Sequence, residues 1–324
     1  MQSSEIQTMM KKLRNILRLL RPRQWIKNFA IFAAIIFSGE LFIDGESLMR
    51  VVYGFLVFCG LSSSIYVIND MFDVKKDRLH PFKRFRPLAN NDISLHLAAT
   101  IAFVLGLGSI IASYLIAPGF FAIAIVYLLL HLAYSAFLKH IEIVDILTLA
   151  AGYILRVLAG EVVSGFHISA WLLLTTISLS LFLAIGKRRS ELTLLSHHAK
   201  PQELITTTRK TLSHYSEKLL DVYLSVFATS TFISYSLFTF LENPKGLQFT
   251  TNLLPDDLLG GYLQRKWLML TIIPVVYGLM RYLQRIYEKH EGESPERVLF
   301  SDRPLLTAVI FWAILVVIII YYVS

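Results

Sequence analysis

The run Asn69-Asp70-Met71-Phe72-Asp73-Val74-Lys75-Lys76-Asp77-Arg78-Leu79-His80-Pro81-Phe82-Lys83-Arg84-Phe85-Arg86-Pro87 closes an apolar stretch long enough to cross a bilayer. Its three aspartates stand at i, i+3 and i+7. On an ideal helix Asp73 lies about 60° and Asp77 about 20° around the axis from Asp70, so all three share one face. Ionised carboxylates this close repel one another unless a cation lies between them. Mg2+ suits such a face, because it takes a few protein carboxylates and completes its shell with water and substrate phosphate. Asn69 adds a neutral oxygen. Arg78, His80, Lys83, Arg84 and Arg86 follow at once, and Pro81 and Pro87 break the helix into an extended loop. Cations gathered in this way suit a diphosphate. The plainer reading of the same charges is a solvated helix end and a cytoplasmic anchor. Acids and bases in this order favour a phosphate-bearing substrate handled at a membrane surface.

Outward from this run the chain is membrane-like. Of its 324 residues 55% are hydrophobic, and the mean hydropathy is +0.58. Apolar runs of about 18 or more residues read as membrane spans. Nine are predicted, at roughly 26–43, 48–68, 94–116, 119–138, 143–163, 169–186, 219–240, 267–287 and 304–323. The expected fold is an all-α polytopic helical bundle, one membrane domain over 1–324, with no internal repeat. Residues 1–25 precede it as an amphipathic segment: Met9, Met10, Leu13, Ile16, Leu17 and Leu20 alternate with Lys11, Lys12, Arg14 and Arg18. This pattern fits a helix lying on an anionic membrane face. No cleavable signal peptide is expected, because the first apolar run starts late and lacks a small-x-small exit. The single cysteine, Cys59, falls inside the second run and reads as a packing residue.

The net charge of +8 is not spread as nucleic-acid binding requires. With the N-terminus in the cytoplasm and nine crossings, 26 of the 31 Lys and Arg fall on the cytoplasmic side. Every candidate site loop then lies on that side, and the C-terminus lies outside. The expected home is the cell (inner) membrane.

Further candidate residues lie at the same ends of other runs. Tyr134, Lys139 and Asp145 bracket a short turn. Arg156 follows Asp145 by about three helical turns on the same face. An arginine at that depth faces a partner or a water-filled cavity. It reads either as a structural ion pair or as a wall that binds phosphate or ribose. Lys187, Arg188, Arg189 and Glu191 end the sixth run, as a positive-inside stop or as a clamp for a lipid phosphate. Lys27 and Asn28 lie just inside the first run, after the interfacial Trp25. Ser301-Asp302-Arg303-Pro304 reads as an N-cap with proline in the first turn.

Taken together these pieces resemble the UbiA superfamily of intramembrane prenyltransferases. They are RPRQWIKN at 21–28, NDMFDVKKDRLHPFKRFRPLA at 69–89, YSAFLK with Asp145 and Tyr153-x-x-Arg156, GKRRSEL at 186–192 and SDRPL at 301–305. Within the superfamily they are similar to the branch that transfers phosphoribosyl to a decaprenyl-type phosphate. The resemblance implies a nine-helix bundle with a cavity open to cytoplasm and lipid. It implies Mg2+, with Mn2+ as an alternative, 5-phosphoribosyl 1-diphosphate as donor and a polyprenyl phosphate as acceptor. Diphosphate leaves, and the product feeds a cell-envelope arabinose pathway. Self-association into a homo-oligomer is left open.

One departure from the wider superfamily matters. Aromatic prenyltransferases carry a second aspartate pair, and here Asp145 is followed four residues on by Leu149. Glu142 is the expected substitute. The expected roles follow. Asp70, Asp73 and Asp77 hold metal on the diphosphate, and Asp145 joins them as a catalytic carboxylate near ribose C1. Arg78, His80, Lys83, Arg84 and Arg86 bind the donor phosphates. Lys27, Lys139, Arg156, Lys187 and Arg188 position the lipid phosphate, while Asn28, Asn69 and Tyr134 line the pocket. Two rivals remain: prenyl transfer to an aromatic acceptor, which uses the same first motif, and a non-enzymatic membrane carrier.

Overall fold

A computed structural model describes residues 2–79, 83–196, 212, 214–242, 267–289 and 295–323. Among these no strand occurs. Helix α1, Gln2–Leu20, carries the basic amphipathic pattern. A 3-10 helix, Pro22–Phe32, follows and runs into the short α2, Ala33–Phe37. Then come α3 Gly45–Leu79, α4 Leu95–Ile116, α5 Pro118–Ala136, α6 Val144–Ser164, α7 Ala170–Ser196 and α8 Glu217–Leu241. The last helices are α9 Ile272–Lys289, α10 Pro295–Ser301 and α11 Arg303–Ile318.

Eight helices among the described residues are long and apolar enough to cross a membrane. The difference from the predicted nine lies in the first run, 26–43, which is no long α-helix. The 3-10 helix and α2 together, 22–37, have 11 and five residues and reach about 30 Å at rises of about 2.0 and 1.5 Å. That equals the hydrocarbon thickness of about 30 Å, so the stretched segment covers the distance of a longer α-helix. The chain is a multi-pass membrane protein.

The 3-10 period of three explains how this segment is held. Arg21, Gln24 and Lys27 form one row, and each meets an acid: Asp70, Glu296 and Glu296 respectively. Trp25, Asn28 and Ile31 form a second row. Trp25 donates to Ser63 Oγ at 2.9 Å, and Asn28 donates to Ser62 Oγ at 3.3 Å. Ile31 is fully buried against α6 at Gly160. Small residues also let α3 and α4 approach closely, as membrane helices without a hydrophobic drive require. A Cβ on Gly60 would meet Ser109 Oγ at 2.6 Å, and one on Gly106 would meet Ser64 Oγ at 2.8 Å.

Helix α3 has 35 residues, or about 52 Å at about 1.5 Å each. It overruns the hydrocarbon, and its last turns carry Asp70, Asp73 and Asp77. Asp302 caps α11 as its sequence predicted, accepting from Leu305 N at 2.8 Å with Pro304 in the first turn. Arg281 and Arg285 of α9 also reach Asp302, at 2.9 and 3.4 Å. Arg281 and the cap geometry hold the Asp302 carboxyl below the usual carboxylate range.

Candidate active site

Asp70 and Asp77 are buried at the end of α3, seven residues apart on one face. The loop after α3 folds back so that one atom serves both. Arg86 Nη1 lies 3.0 Å from Asp70 Oδ1 and 2.6 Å from Asp77 Oδ2. Burial works against the Arg86 charge, and Asp70 and Asp77 more than offset it, so its pKa stands above the ordinary value. Arg21 also reaches Asp70 Oδ1, at 2.5 Å, from the left-handed residue (φ 54°) that opens the 3-10 helix. Asp73 lies apart from this pair, held by Lys139 Nζ at 2.7 Å. Among the described residues no three His, Cys, Asp or Glu side chains are gathered as a metal site. The three-acid cluster expected from the spacing is therefore a bridged pair plus one acid tied to a lysine. Two buried carboxylates sharing one positive nitrogen still form a hard-oxygen donor set that fits Mg2+, which needs only one or two carboxylates beside phosphate and water.

The basic loop is sorted by its contacts. Arg78 donates to Ala89 O and to Asn91 Oδ1 at 3.2 and 2.7 Å, fastening the far side of the loop to α3. Lys83 reaches Glu191 of α7 at 3.2 Å. Arg84 is exposed and lies 4.8 Å over the Phe85 ring. His80 lies outside the described residues. Asn69 is half-buried beside Asp70.

A second cluster sits where α6 begins and α7 ends. Asp145 and Arg188 are both fully covered, with Asp145 Oδ2 2.7 Å from Arg188 Nε. This contact lacks hydrogen-bond alignment. Arg188 donates to Glu191 Oε2 at 2.8 Å and to Tyr134 OH at 2.9 Å. Tyr215 OH donates to Asp145 Oδ1 at 2.9 Å. The expectation of Asp145 facing the reacting sugar thus meets a carboxylate wholly enclosed by protein. Glu142 does not join it. The chain turns sharply at Ile143 (φ 63°), and Glu142 points outward to His214 Nδ1 at 2.8 Å.

The third cluster lies deeper. Arg156 is buried, with all three donor groups used: Nε to Asn28 Oδ1 at 2.7 Å, Nη1 to Gly152 O and Nη2 to Tyr127 OH, both at 2.5 Å. Of the two readings of its depth, the structure supplies the one with fixed partners, though these are amide, carbonyl and phenol groups and include no carboxylate. Lys27 Nζ lies 3.2 Å from Glu296 Oε2 and 5.8 Å from the Tyr153 ring. Burial pushes the Glu296 pKa up, and Lys27, Lys187 and the hydrogen bond from Gln24 together outweigh it, leaving the carboxyl below its ordinary range. Lys187 is half-buried within electrostatic reach of Tyr134, Arg188, Lys27 and Glu191. No carboxylate among the described residues lies within ion-pair distance of it.

Sequence reasoning missed Arg21, Glu296, Tyr127 and Tyr215 as members of these clusters. Arg21 had a signal, an arginine before proline at a membrane interface. Glu296 and Tyr215 had none, because each lies in a polar segment without periodicity.

The chain that builds this arrangement is similar to known proteins. The model of the UbiA prenyltransferase family matches residues 28–189. A decaprenyl-phosphate phosphoribosyltransferase from Mycolicibacterium smegmatis is 33% identical over 301 residues, covering 92% of this chain and 89% of that protein. The chain belongs to the UbiA prenyltransferase family. A second protein of the same description, from Mycobacterium tuberculosis, is 32% identical over 92% of this chain and 91% of its own. Among solved structures, a UbiA homolog from Archaeoglobus fulgidus bound to GPP and Mg2+ shares the fold, with TM-score 0.66 and 19% identity over 93% of this chain and 96% of that one. In this UbiA protein the acidic pair stands at the end of α3, and the Asp145–Arg188 cluster at the start of α6 and the end of α7.

Proposed function

We propose that this UbiA protein transfers the 5-phosphoribosyl group of 5-phosphoribosyl 1-diphosphate to a polyprenyl phosphate at the cytoplasmic face of the membrane. The observation that carries the reading is the ring of cations around the Asp70–Asp77 pair: Arg21, Arg86 and, through Asp73, Lys139. A donor with phosphates at both ends of a sugar needs more positive charge than a prenyl diphosphate with one charged end. Likeness to the mycobacterial phosphoribosyltransferases over nearly the whole chain supports the same substrate pair.

An oxygen of the lipid phosphate forms the new bond to ribose C1. The bond from C1 to the diphosphate oxygen breaks, and its electron pair leaves with diphosphate. Mg2+, held when bound by the Asp70–Asp77 pair with Asp73 and Lys139 beside it, would neutralise charge on that leaving group. Arg21, Arg86 and Lys139 are the cations the donor phosphates meet, since each stands against one of the aspartates. The acceptor phosphate is already anionic near neutral pH, so orientation matters more than a general base. Lys187, which has no carboxylate at ion-pair distance among the described residues, and Lys27 attract it. Arg156 and Asn28 form a fixed wall behind them, and Asp145 holds Arg188 in place.

The test offers membranes containing the protein radiolabelled 5-phosphoribosyl 1-diphosphate or a labelled prenyl diphosphate, each with polyprenyl phosphate and Mg2+. Label from the phosphoribosyl donor is expected in the lipid phase. Label entering lipid only from the prenyl donor sinks the proposal.

A further inference from the structure

The turn that opens α6 is unusual. Val144 N donates to Glu142 O at 2.6 Å, which closes a three-residue γ-turn on Ile143 at φ 63° and ψ −45°. Turns of this hand are rare and strained, and a β-branched residue at positive φ is an outlier. Such a conformation persists only where its surroundings over-determine it. Here the surroundings are two consecutive residues just before α8. His214 meets Glu142, and Tyr215 OH accepts from Ile143 N at 2.6 Å while donating to Asp145 Oδ1. Tyr215 is itself buried among Ile146, Phe182 and Leu220. Burial pushes its phenol pKa up, so the hydroxyl keeps its proton.

We propose that Tyr215 is a positioning residue for the transferase site. One hydroxyl fixes the Ile143 turn and the Asp145 carboxylate together. The effect then passes along a contact chain from Asp145 to Arg188, from Arg188 to Glu191 and from Glu191 to Lys83 on the donor loop. The proposal rests on the reading that Arg188 and Lys83 serve the site. Without the hydroxyl the turn relaxes toward negative φ and shifts the start of α6, and the cations lose their register.

The experiment is a double-mutant cycle of Tyr215→Phe and Ile143→Gly in full-length protein, read by thermal unfolding in detergent and by kcat/KM. Tyr215→Phe keeps the ring and is expected to lower kcat/KM about tenfold or more, the scale of an unpaired buried polar group. Glycine accepts positive φ without steric cost, so Ile143→Gly alone is expected to stay near wild type. In the Phe background it is expected to restore part of the lost melting temperature and activity, because the turn then holds without the phenol while Asp145 Oδ1 stays without that donor. A Tyr215→Phe protein with wild-type melting and turnover overturns the proposal. So does a defective one that Ile143→Gly fails to restore in both readouts. If Tyr215→Phe does not fold, rescue of folding by Ile143→Gly supports the clamp and failure of rescue overturns it. Wild-type protein inactive with the phosphoribosyl donor counts against the proposed function alone, since the melting cycle still reads the clamp.

Discussion

Gly160 lies so close to Ile31 that a Cβ on it would stand 1.9 Å from the Ile31 carbonyl oxygen. The obstacle is backbone, which cannot swing aside as a side chain can. This approach seats the 3-10 helix against α6 and brings Asn28 within 2.7 Å of Arg156. Gly160→Ala is therefore expected to destabilise the protein by about 3 kcal/mol or more, at the upper end for overpacking. Thermal unfolding in detergent measures this. Unchanged melting would show that the two segments separate freely.

Arg86 bridges two buried carboxylates, so its removal leaves them facing each other. Arg86→Gln is expected to melt earlier than wild type without divalent cations. Millimolar Mg2+ is expected to raise its melting temperature more than it raises that of wild type, because the cation takes the place of the guanidinium. Equal shifts in the two proteins would separate Arg86 from the metal site.

Asp73 forms its ion pair with Lys139 and stands outside the Asp70–Arg86–Asp77 bridge. Asp73→Ala is expected to insert normally and to lose transfer activity by about a hundredfold or more, the scale of losing a group that stabilises charge in the transition state. Membrane yield and turnover, measured together, check this. Normal turnover removes Asp73 from the mechanism.

No carboxylate among the described residues forms an ion pair with Lys187, though Glu191 and Glu296 act on it from farther away. Lys187→Met is expected to raise the KM for polyprenyl phosphate about tenfold, with a smaller effect on the donor KM. Steady-state kinetics with each substrate varied in turn distinguish the two. A change confined to the donor KM would move Lys187 to the other end of the reaction.

Asp302 supplies a pH signature. Its folded-state pKa lies below the unfolded value of about 3.9, so its contribution to stability is fully present above that pH. The contribution is lost as pH falls from there through the folded pKa. Asp302→Asn keeps a capping oxygen and loses the attraction of Arg281 and Arg285. It is expected to melt below wild type at pH 7, with the gap narrowing below about pH 4. A gap that stays constant to pH 3 would show that the charge is idle.

Much of this was legible before any coordinates. The spacing of Asp70 and Asp77 placed them on one face, and charge asymmetry gathered the basic residues at alternate ends of the runs. Ser301-Asp302-Arg303-Pro304 named a helix start correctly. What failed depended on backbone geometry that periodicity does not report. A run of 3-10 helix hides within the same apolar residues as an α-helix, so the rows Arg21-Gln24-Lys27 and Trp25-Asn28-Ile31 went unread. The turn at Ile143 sent Glu142 away from Asp145, against the expectation drawn from their spacing. Glu296 and Tyr215 come from distant segments, and only tertiary packing brings them to Lys27 and Asp145.

The overhang of α3 has a kinetic consequence. With 35 residues the helix is longer than the hydrocarbon is thick, and on the proposed reaction its acids reach the headgroup level where a lipid phosphate already resides. On the proposed reaction the acceptor need not be lifted from its leaflet and arrives by lateral diffusion, whereas the sugar donor arrives from solution. Saturation by the lipid should then track its mole fraction in the bilayer, and diluting vesicles at constant composition should leave the rate per enzyme unchanged.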